Sequence, residues 1–205
     1  MAQIQTRDIL YDEILEHSIQ CRMLDERFCP RNDVIEKIKA FILSNTSRRP
    51  CTIYGKSGTG KSSIMAQVAI KVPMWFANPS SVSVIIRFLG ATPLSSDIRQ
   101  PLISMIRQIS NIYHIALSPT VHISMTIHKL RERFEQILGQ IPESEKLILL
   151  FDSIDQLQVE YYDCSKWLPV EYPANVKCIL STIPVISKGQ ASPESEKVRR
   201  SHCLY

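Results

Sequence analysis

Half of the glycines in this chain stand within six residues of one another. The 205 residues include only six glycines, and Gly55, Gly58 and Gly60 share one short window that continues into Lys61 and Ser62. The window reads Gly-x-x-x-x-Gly-Lys-Ser. Glycines at these positions let backbone N–H groups turn inward and leave room for an anion to approach. The spacing therefore predicts a phosphate-binding loop, the P-loop.

The residues of this motif have separate expected roles. We expect Lys61 to contact the β- and γ-phosphates of a nucleotide and the hydroxyl of Ser62 to ligate Mg²⁺. A helix that begins at Lys61 adds unpaired N–H groups and the positive end of its dipole. The alternative, a flexible glycine and serine loop, does not explain why the motif lies between a predicted strand and a predicted helix. The predicted phosphate-binding residues are Gly55, Lys56, Ser57, Gly58, Thr59, Gly60, Lys61 and Ser62.

Carboxylates follow a second apolar segment. Residues 147–151 are five consecutive apolar residues, and Asp152 comes directly after them. A charged group at the end of a buried strand costs desolvation energy unless it is satisfied, so we expect Asp152 to hold Mg²⁺ directly or through water. The alternative is a capping role. Asp155 is a candidate to orient or activate an attacking water, with a helix N-cap as its alternative. Gln156 can position a water but cannot take its proton.

Other polar residues give weaker signals. Ser181 and Thr182 end the β-rich run 176–182, where they either sense a γ-phosphate or merely terminate a strand. Arg87 and Arg99 are candidate cations for phosphates, and positions on the protein surface are their alternative. The histidines show no ligand spacing with cysteine or aspartate, so no metal other than Mg²⁺ is predicted.

The predicted elements alternate between strands and helices. The strands are expected at 51–54, 82–88, 147–151 and 176–182. Helical periodicity covers 8–24, 33–44, 61–71, 97–113 and 123–138. This alternation predicts an α/β fold with a mostly parallel sheet covered on both faces. A strand after Asp152 suits the P-loop NTPases that carry an additional strand beside the P-loop, and suits simple kinases less well.

Composition excludes several classes of protein. Hydrophobic residues make up 44% and charged residues 21%, and the net charge of +4 is scattered along the chain, which argues against nucleic acid as the main ligand. No segment reaches the roughly 18 apolar residues of a membrane span. The charged N-terminal segment does not resemble a secretory signal, and the six cysteines form no C-x-x-C pair. We therefore expect reduced thiols and a cytoplasmic location.

Together these stretches resemble a known family. The segments 55–62, 147–157 and 176–184 resemble the NACHT subfamily of P-loop NTPases, of the STAND class, and in particular the NTPase domain of NACHT and WD-repeat proteins and nephrocystin-3-like proteins. The segments 87–109 and 7–31 are similar to stretches typical of that group. The resemblance covers roughly residues 5–185.

The resemblance implies a function and a site. Proteins of this family bind ATP or ADP and use the nucleotide state as a conformational switch for assembly with other proteins. By this resemblance Gly55–Ser63, including Ser63, would bind phosphates, Asp152 would serve Mg²⁺, and Asp155 would assist hydrolysis. The stretches 50–54 and 28–31 would lie near the adenine. The family pattern has an arginine after the fourth strand and a more acidic end to its second motif, and both are missing here, so slow hydrolysis at most is expected.

The expected organisation has three parts. Residues 1–30 are predicted as an N-terminal helical linker, 31–185 as a P-loop NTPase domain built as a three-layer sandwich, and 186–205 as a disordered tail. The sequence is expected to stop before any winged-helix region. Protein partners, including a second copy, are expected. Two other functions stay open, namely a non-enzymatic truncated scaffold isoform and a kinase for small molecules or nucleotides.

Overall fold

One parallel sheet forms the centre of the protein in the computed structural model of the chain. The structure describes residues 9–26, 31–91, 96–117, 125–161, 163–184 and 203–204. The strands are β1 (Cys51–Tyr54), β2 (Val82–Phe88), β3 (Lys146–Asp152), β4 (Val176–Thr182) and β5 (Cys203–Leu204). Their order across the sheet is β2-β3-β4-β1-β5, and all neighbours run parallel. Because β4 lies between β1 and β3, the predicted additional-strand arrangement is confirmed.

Helices cover both faces of this sheet. They are α1 (Ile9–Glu26), α2 (Asn32–Leu43), α3 (Lys61–Lys71), α4 (Arg99–Ile112) and α5 (Ile127–Leu138). Apolar residues of α2 and α3 form one core with the sheet, and those of α4 and α5 form a second core on its other face. The three-layer sandwich is therefore confirmed. In the described part of the chain, every helix is too short or too polar to cross a bilayer.

Strand β3 shows why the apolar run before Asp152 is continuous. Leu149 and Phe151 point into the core beneath α4 and α5, whereas Ile148 and Leu150 point into the core beneath α2 and α3. A strand with helices on both faces buries every side chain, so it loses the polar alternation of a half-exposed strand. The strand lies inside the sheet, between β2 and β4, and brings Asp152 to the carboxyl edge of the sheet.

The predicted strand bounds agree closely with the structure. The strands at 51–54, 82–88 and 176–182 coincide with β1, β2 and β4, and β3 extends the predicted strand by one residue at each end. The short strand β5 was not expected, because it falls in the segment predicted as a disordered tail. Residues 185–202 lie outside the described residues, so for them disorder stays a prediction. The division at residue 30 also stays a prediction.

Helix α1 turns polar side chains toward the protein. The periodicity of residues 8–24 predicted one apolar face, yet Leu15, Ile19 and Met23 are 43%, 50% and 51% exposed. His17 is instead 6% exposed, and its Nδ1 accepts a hydrogen bond from the backbone N–H of Phe88 at 3.3 Å. That N–H lies on the edge strand β2 and needs a partner from outside the sheet. The need to satisfy polar groups of β2 therefore decides which face of α1 is buried.

A buried ion pair joins α1 to the sheet. Arg87 of β2 is 1% exposed, and its Nε lies 3.1 Å from Glu13 Oε1 of α1. Its Nη2 donates to Ser104 Oγ and to Gln108 Oε1 of α4, both at 2.8 Å. The expectation that Arg87 faces a phosphate or lies on the surface is wrong, because the guanidinium is enclosed by α1 and α4.

The two charges of this pair affect each other. Burial lowers the pKa of Arg87 to about 10, although the Glu13 carboxylate acts in the opposite direction. Burial also raises the pKa of Glu13, but the hydrogen bond with His17 and the charge of Arg87 outweigh it and hold that pKa below its ordinary value. Both groups are therefore charged at neutral pH.

Candidate functional site

The P-loop joins β1 to α3 and depends on its glycines. Gly58 and Gly60 have φ of 77° and 83°, in the left-handed region that favours glycine. A Cβ on Gly55 would lie 2.6 Å from Thr59 Oγ1, closer than atoms can approach. The Thr59 hydroxyl itself donates to the carbonyl of Lys56 at 2.8 Å. The clustering of glycine therefore reflects both backbone conformation and space.

Helix α3 presents its amino end to the cleft beside the loop. The residue before the helix is Gly60, which has no side chain to cap the N–H groups of the first turn. Ser62 and Ser63, in that first turn, line the cleft. Unpaired N–H groups together with the helix dipole favour an anion at this point.

Lys61 is held by the loop it belongs to. Its Nζ donates to the carbonyl oxygen of Gly55 at 2.7 Å and to that of Lys56 at 3.1 Å. Both acceptors are neutral carbonyls, so a phosphate would offer the ammonium a stronger, charge-assisted partner. The lysine is therefore positioned at the mouth of the loop, and within the described ranges the partners of its ammonium are neutral.

The cleft brings the P-loop opposite the ends of β3 and β4. It has a volume of about 320 Å³. The residues that line it are Ser57, Gly58, Thr59, Gly60, Lys61, Ser62, Ser63, Ser153, Asp155, Gln156 and Ile183. Most predicted phosphate-binding residues are among them, whereas Gly55, Lys56 and Asp152 do not line the cleft. The carboxyl edge of a parallel sheet, where strands from different parts of the chain end together, is where such folds bind ligands.

Asp152 is buried at the end of β3 and held by two hydroxyls. The side chain is 2% exposed. Its Oδ1 accepts a hydrogen bond from Ser181 Oγ at 2.5 Å, and its Oδ2 accepts one from Ser153 Oγ at 3.0 Å. The predicted polar residue at the end of β4, Ser181, therefore contacts the predicted Mg²⁺ carboxylate. Sequence reasoning missed Ser153, although its place directly after Asp152 was visible.

Thr182 has a different structural role from that of Ser181. Its carbonyl accepts a hydrogen bond from the Gly55 N–H at 3.3 Å, which extends the pairing of β1 with β4 to the first residue of the P-loop. Its hydroxyl donates to the carbonyl of Ile183 at 3.3 Å. Thr182 therefore fixes the start of the loop through its backbone.

Asp155 lines the cleft with both carboxylate oxygens engaged. Its Oδ1 accepts a hydrogen bond from the Ile183 N–H at 3.2 Å, and its Oδ2 accepts one from Gln156 Nε2 at 2.9 Å. Asp155 lies inside the short 3₁₀ helix Ile154–Gln156. The alternative prediction, that Asp155 is the N-cap of a helix, is therefore wrong. The carboxylate links the end of β3 to the residue after β4.

Arg99 agrees with the alternative prediction, a position on the protein surface, and not with a contact to phosphate. Its Nη2 lies 2.6 Å from Asp97 Oδ2, and its Nε is 3.0 Å from both oxygens of that carboxylate. It does not line the cleft.

The donor atoms near the loop suit Mg²⁺ rather than a softer metal. The Ser62 hydroxyl and the Asp152 carboxylate offer hard oxygen ligands, and a nucleotide would supply further oxygens from its phosphates. Throughout the described ranges, no group of three or more histidine, cysteine or acidic side chains could hold a metal by itself. A Mg²⁺ site that shares its ligands with a bound nucleotide needs no such group.

Gly90 leaves space for Gln156, and its replacement by alanine should destabilise the fold. Gly90 has φ +71°, and a Cβ there would lie 2.4 Å from Gln156 Cβ. We expect Gly90→Ala to lower the free energy of unfolding by about 2 kcal/mol, since backbone strain and a clash act together. Gly139→Ala is the matched control, because Gly139 has φ −70° and its nearest contacts are at 3.6 Å. Urea unfolding of both variants measures the difference, and equal stabilities would contradict it.

The fold and this site define an α/β P-loop NTPase domain of the additional-strand type. Among solved structures, the Orc1 protein of Aeropyrum pernix, determined in complex with DNA, is similar with a TM-score of 0.54 and 15% identity. The match covers 88% of this chain and 46% of that one. At this identity the likeness concerns the fold alone. No family model matches the sequence.

The sequence resembles NACHT and WD-repeat proteins. It is 34% identical over 185 residues to NACHT and WD repeat domain-containing protein 2 of Homo sapiens. This match covers 86% of this chain and 10% of that protein. It is 30% identical over 178 residues to NACHT domain- and WD repeat-containing protein 1 of Mus musculus, with 84% and 11% covered. The NACHT-type resemblance inferred from the motifs is thus confirmed. The chain spans about a tenth of the length of these relatives.

Proposed function

We propose that this segment binds ATP or ADP together with Mg²⁺ and works as a nucleotide-dependent switch for protein assembly, with slow hydrolysis at most. One observation carries the proposal. The glycine-rich loop and the amino end of α3 lie across a single cleft from the polar residues that end β3 and β4. Homology to NACHT proteins and the P-loop NTPase fold support a nucleotide-binding NTPase domain.

In the proposed site, one set of residues binds the phosphates and another binds the metal ion. In the proposal, the loop N–H groups and Lys61 contact phosphates, and Ser62 and Asp152 hold Mg²⁺. The ion would neutralise phosphate charge, as it does in P-loop enzymes generally. Ser181 keeps the Asp152 carboxylate oriented, because its hydroxyl donates to Oδ1.

Slow hydrolysis is supported by the surroundings of Asp155. A general base needs a carboxylate oxygen free to take a proton from water. Both oxygens of Asp155 accept hydrogen bonds, from Ile183 and Gln156. The neighbouring Gln156 can orient a water but cannot accept its proton. Asp155 would therefore have to reach an attacking water through a remaining lone pair, in the orientation that these two hydrogen bonds impose.

The switch is supported by the hydrogen-bond partners of two charged residues that line the cleft. Lys61 is bound to loop carbonyls, and Asp155 is bound to the Ile183 N–H after β4. A nucleotide that draws Asp155 away would break a contact that links the ends of β3 and β4, and one that draws Lys61 away would release carbonyls of the P-loop. In many nucleotide-dependent switches, segments become ordered when a γ-phosphate is bound and are released when it is lost. The partner proteins of this switch are proposed on the resemblance alone.

Calorimetric titration of the folded protein with ATP and with ADP tests the proposal. We expect binding of both nucleotides that is tighter with Mg²⁺ than with EDTA, and release of phosphate at well under one turnover per minute, on the order of the slow intrinsic rates of switch NTPases. Absence of nucleotide binding would contradict the proposal and favour the scaffold alternative. Transfer of phosphate to an acceptor other than water would favour the kinase.

A further inference from the structure

Ser153 has a backbone conformation that is unusual for its type. Its φ and ψ are 61° and 52°, in the left-handed region. Among the described residues, the other non-glycine residue with positive φ is His114, at 53°. Such a conformation is costly for a residue with a Cβ and persists only where neighbouring contacts hold it. Strained residues of this kind cluster at functional sites, and Ser153 lies at the end of β3.

Ser153 belongs to a ring of three hydrogen bonds with Asp152 and Ser181, and it takes part in two of them. Its backbone N–H donates to Ser181 Oγ at 2.9 Å, and its hydroxyl donates to Asp152 Oδ2 at 3.0 Å. Ser181 Oγ completes the ring by donating to Asp152 Oδ1 at 2.5 Å. The two hydroxyls satisfy a buried carboxylate that has no cationic side chain among these partners. Ser181 is fully buried, whereas Ser153 is half-buried.

The two serines differ in how they face the cleft. Ser153 lines the cleft, and neither Asp152 nor Ser181 does. Ser153 is therefore the member of the ring that a ligand in the cleft meets. Of the two carboxylate oxygens of Asp152, Oδ2 is the one bound by the residue that lines the cleft.

We propose that Ser153 is a positioning residue that competes with Mg²⁺ for the Asp152 carboxylate. The Ser153 hydroxyl donates to Oδ2 and so occupies a lone pair that the ion would use. When the ion binds, the hydroxyl gives up Oδ2, while Ser181 stays on Oδ1. The strain stored at Ser153 lowers the cost of this exchange, since the left-handed conformation loses one of its supporting contacts and can relax. This inference rests on the proposed Mg²⁺-nucleotide site.

Replacing Ser153 by alanine tests the competition. Alanine removes the hydroxyl from Oδ2, so the Mg²⁺ concentration that gives half-maximal enhancement of ATP binding should fall about fivefold. ATP affinity measured in EDTA gives the effect of the substitution on nucleotide binding without metal, and the Mg²⁺ requirement is compared after that effect has been divided out. A fluorescent ATP analogue titrated at fixed Mg²⁺ concentrations measures both quantities. An unchanged or raised Mg²⁺ requirement would overturn the proposal, and a raised one would mean that the hydroxyl helps to hold the ion.

Glycine variants separate strain from competition. Ser153→Gly and His114→Gly each relieve a left-handed residue. His114→Gly should raise the melting temperature in EDTA, whereas in Ser153→Gly the loss of the hydrogen bond to Asp152 Oδ2 offsets that gain. His114 is exposed and does not line the cleft, so His114→Gly should leave the Mg²⁺ requirement unchanged. Ser153→Gly should lower that requirement as the alanine variant does. Equal Mg²⁺ requirements in the two glycine variants would count against the proposal.

A metal titration without nucleotide keeps this inference apart from the proposed function. Free Mn²⁺, measured by electron paramagnetic resonance, should bind the Ser153→Ala protein more tightly than the original protein. If neither protein binds nucleotide but the alanine variant binds Mn²⁺ more tightly, the nucleotide switch fails and the competition stands. If both bind nucleotide with the same metal requirement and the same Mn²⁺ affinity, or without measurable Mn²⁺ binding, the competition fails and the nucleotide site stands.

Discussion

Lys61→Ala is expected to weaken the binding of ATP and ADP by about tenfold or more, because the side chain supplies the charge-assisted contact to phosphates. Among the described residues, its Nζ donates to the backbone carbonyls of Gly55 and Lys56. The change therefore removes little that holds the fold together. Isothermal titration calorimetry with each nucleotide in the presence of Mg²⁺ measures the loss.

Lys71→Ala is the matched control for this variant. Lys71 lies at the opposite end of the same helix and does not line the cleft. Its removal changes the net charge by the same amount and should leave nucleotide affinity within about twofold. Melting temperatures of both variants near that of the original protein would show that the fold is intact. Undiminished binding by Lys61→Ala would mean that nucleotide is held elsewhere or in another way.

Glu13→Gln is expected to lower the free energy of unfolding by about 3 kcal/mol, since it leaves a buried guanidinium without its counter-ion. Arg87 is 1% exposed, and the hydroxyl of Ser104 and the amide of Gln108 supply its remaining side-chain partners. Neutral acceptors cannot replace a carboxylate for a charge that water does not reach. Urea unfolding of the variant and of the original protein measures the cost.

Glu16→Gln is the control on the same helix. Glu16 is exposed, so its replacement should change stability by less than about 0.5 kcal/mol. If Glu13→Gln were equally mild, the ion pair with Arg87 would contribute little, and α1 would be held by its other contacts.

Acid unfolding gives a second signature of the same pair. The pKa of Glu13 is held below its ordinary value of 4.5, so the carboxylate stabilises the fold above that pH. This contribution is lost as the pH falls from about 4.5 through the lower pKa of the folded state. The original protein should therefore lose more stability in this interval than Glu13→Gln does. Parallel losses in the two proteins would contradict the assignment.

Local sequence signals predicted the part of the site that depends on local chemistry. The P-loop could be recognised because its glycines, Lys61 and Ser62 must stand at fixed spacing to form one turn and one helix end. Asp152 could be recognised because a charge after five apolar residues is conspicuous. The strands around them were recovered for the same reason, since full burial leaves a continuous apolar run.

Features that depend on residues far away in the sequence could not be predicted from local sequence signals. Arg87 has the same appearance in sequence whether it faces a phosphate or Glu13, and its partner lies in a helix far upstream. The left-handed backbone of Ser153 is imposed by Ser181, on a different strand. The inward face of α1 was misassigned because periodicity measures apolarity, whereas the need of His17 and Glu13 to satisfy β2 decided its orientation.

The place of β4 in the sheet also has a consequence for synthesis of the chain on the ribosome. Strand β1, which leads into the P-loop, pairs with β4, and Cys51 lies beside Ile179. Strands β2 and β3 come between them in the sequence, but neither of these strands is a neighbour of β1 in the sheet. A nascent chain that has emerged only through β3 therefore carries the whole glycine-rich loop but has no sheet edge on which to fix it. Pairings between such distant segments form late and slowly. The P-loop is consequently among the last parts of the domain to mature, although its sequence is made before β2, β3 and β4.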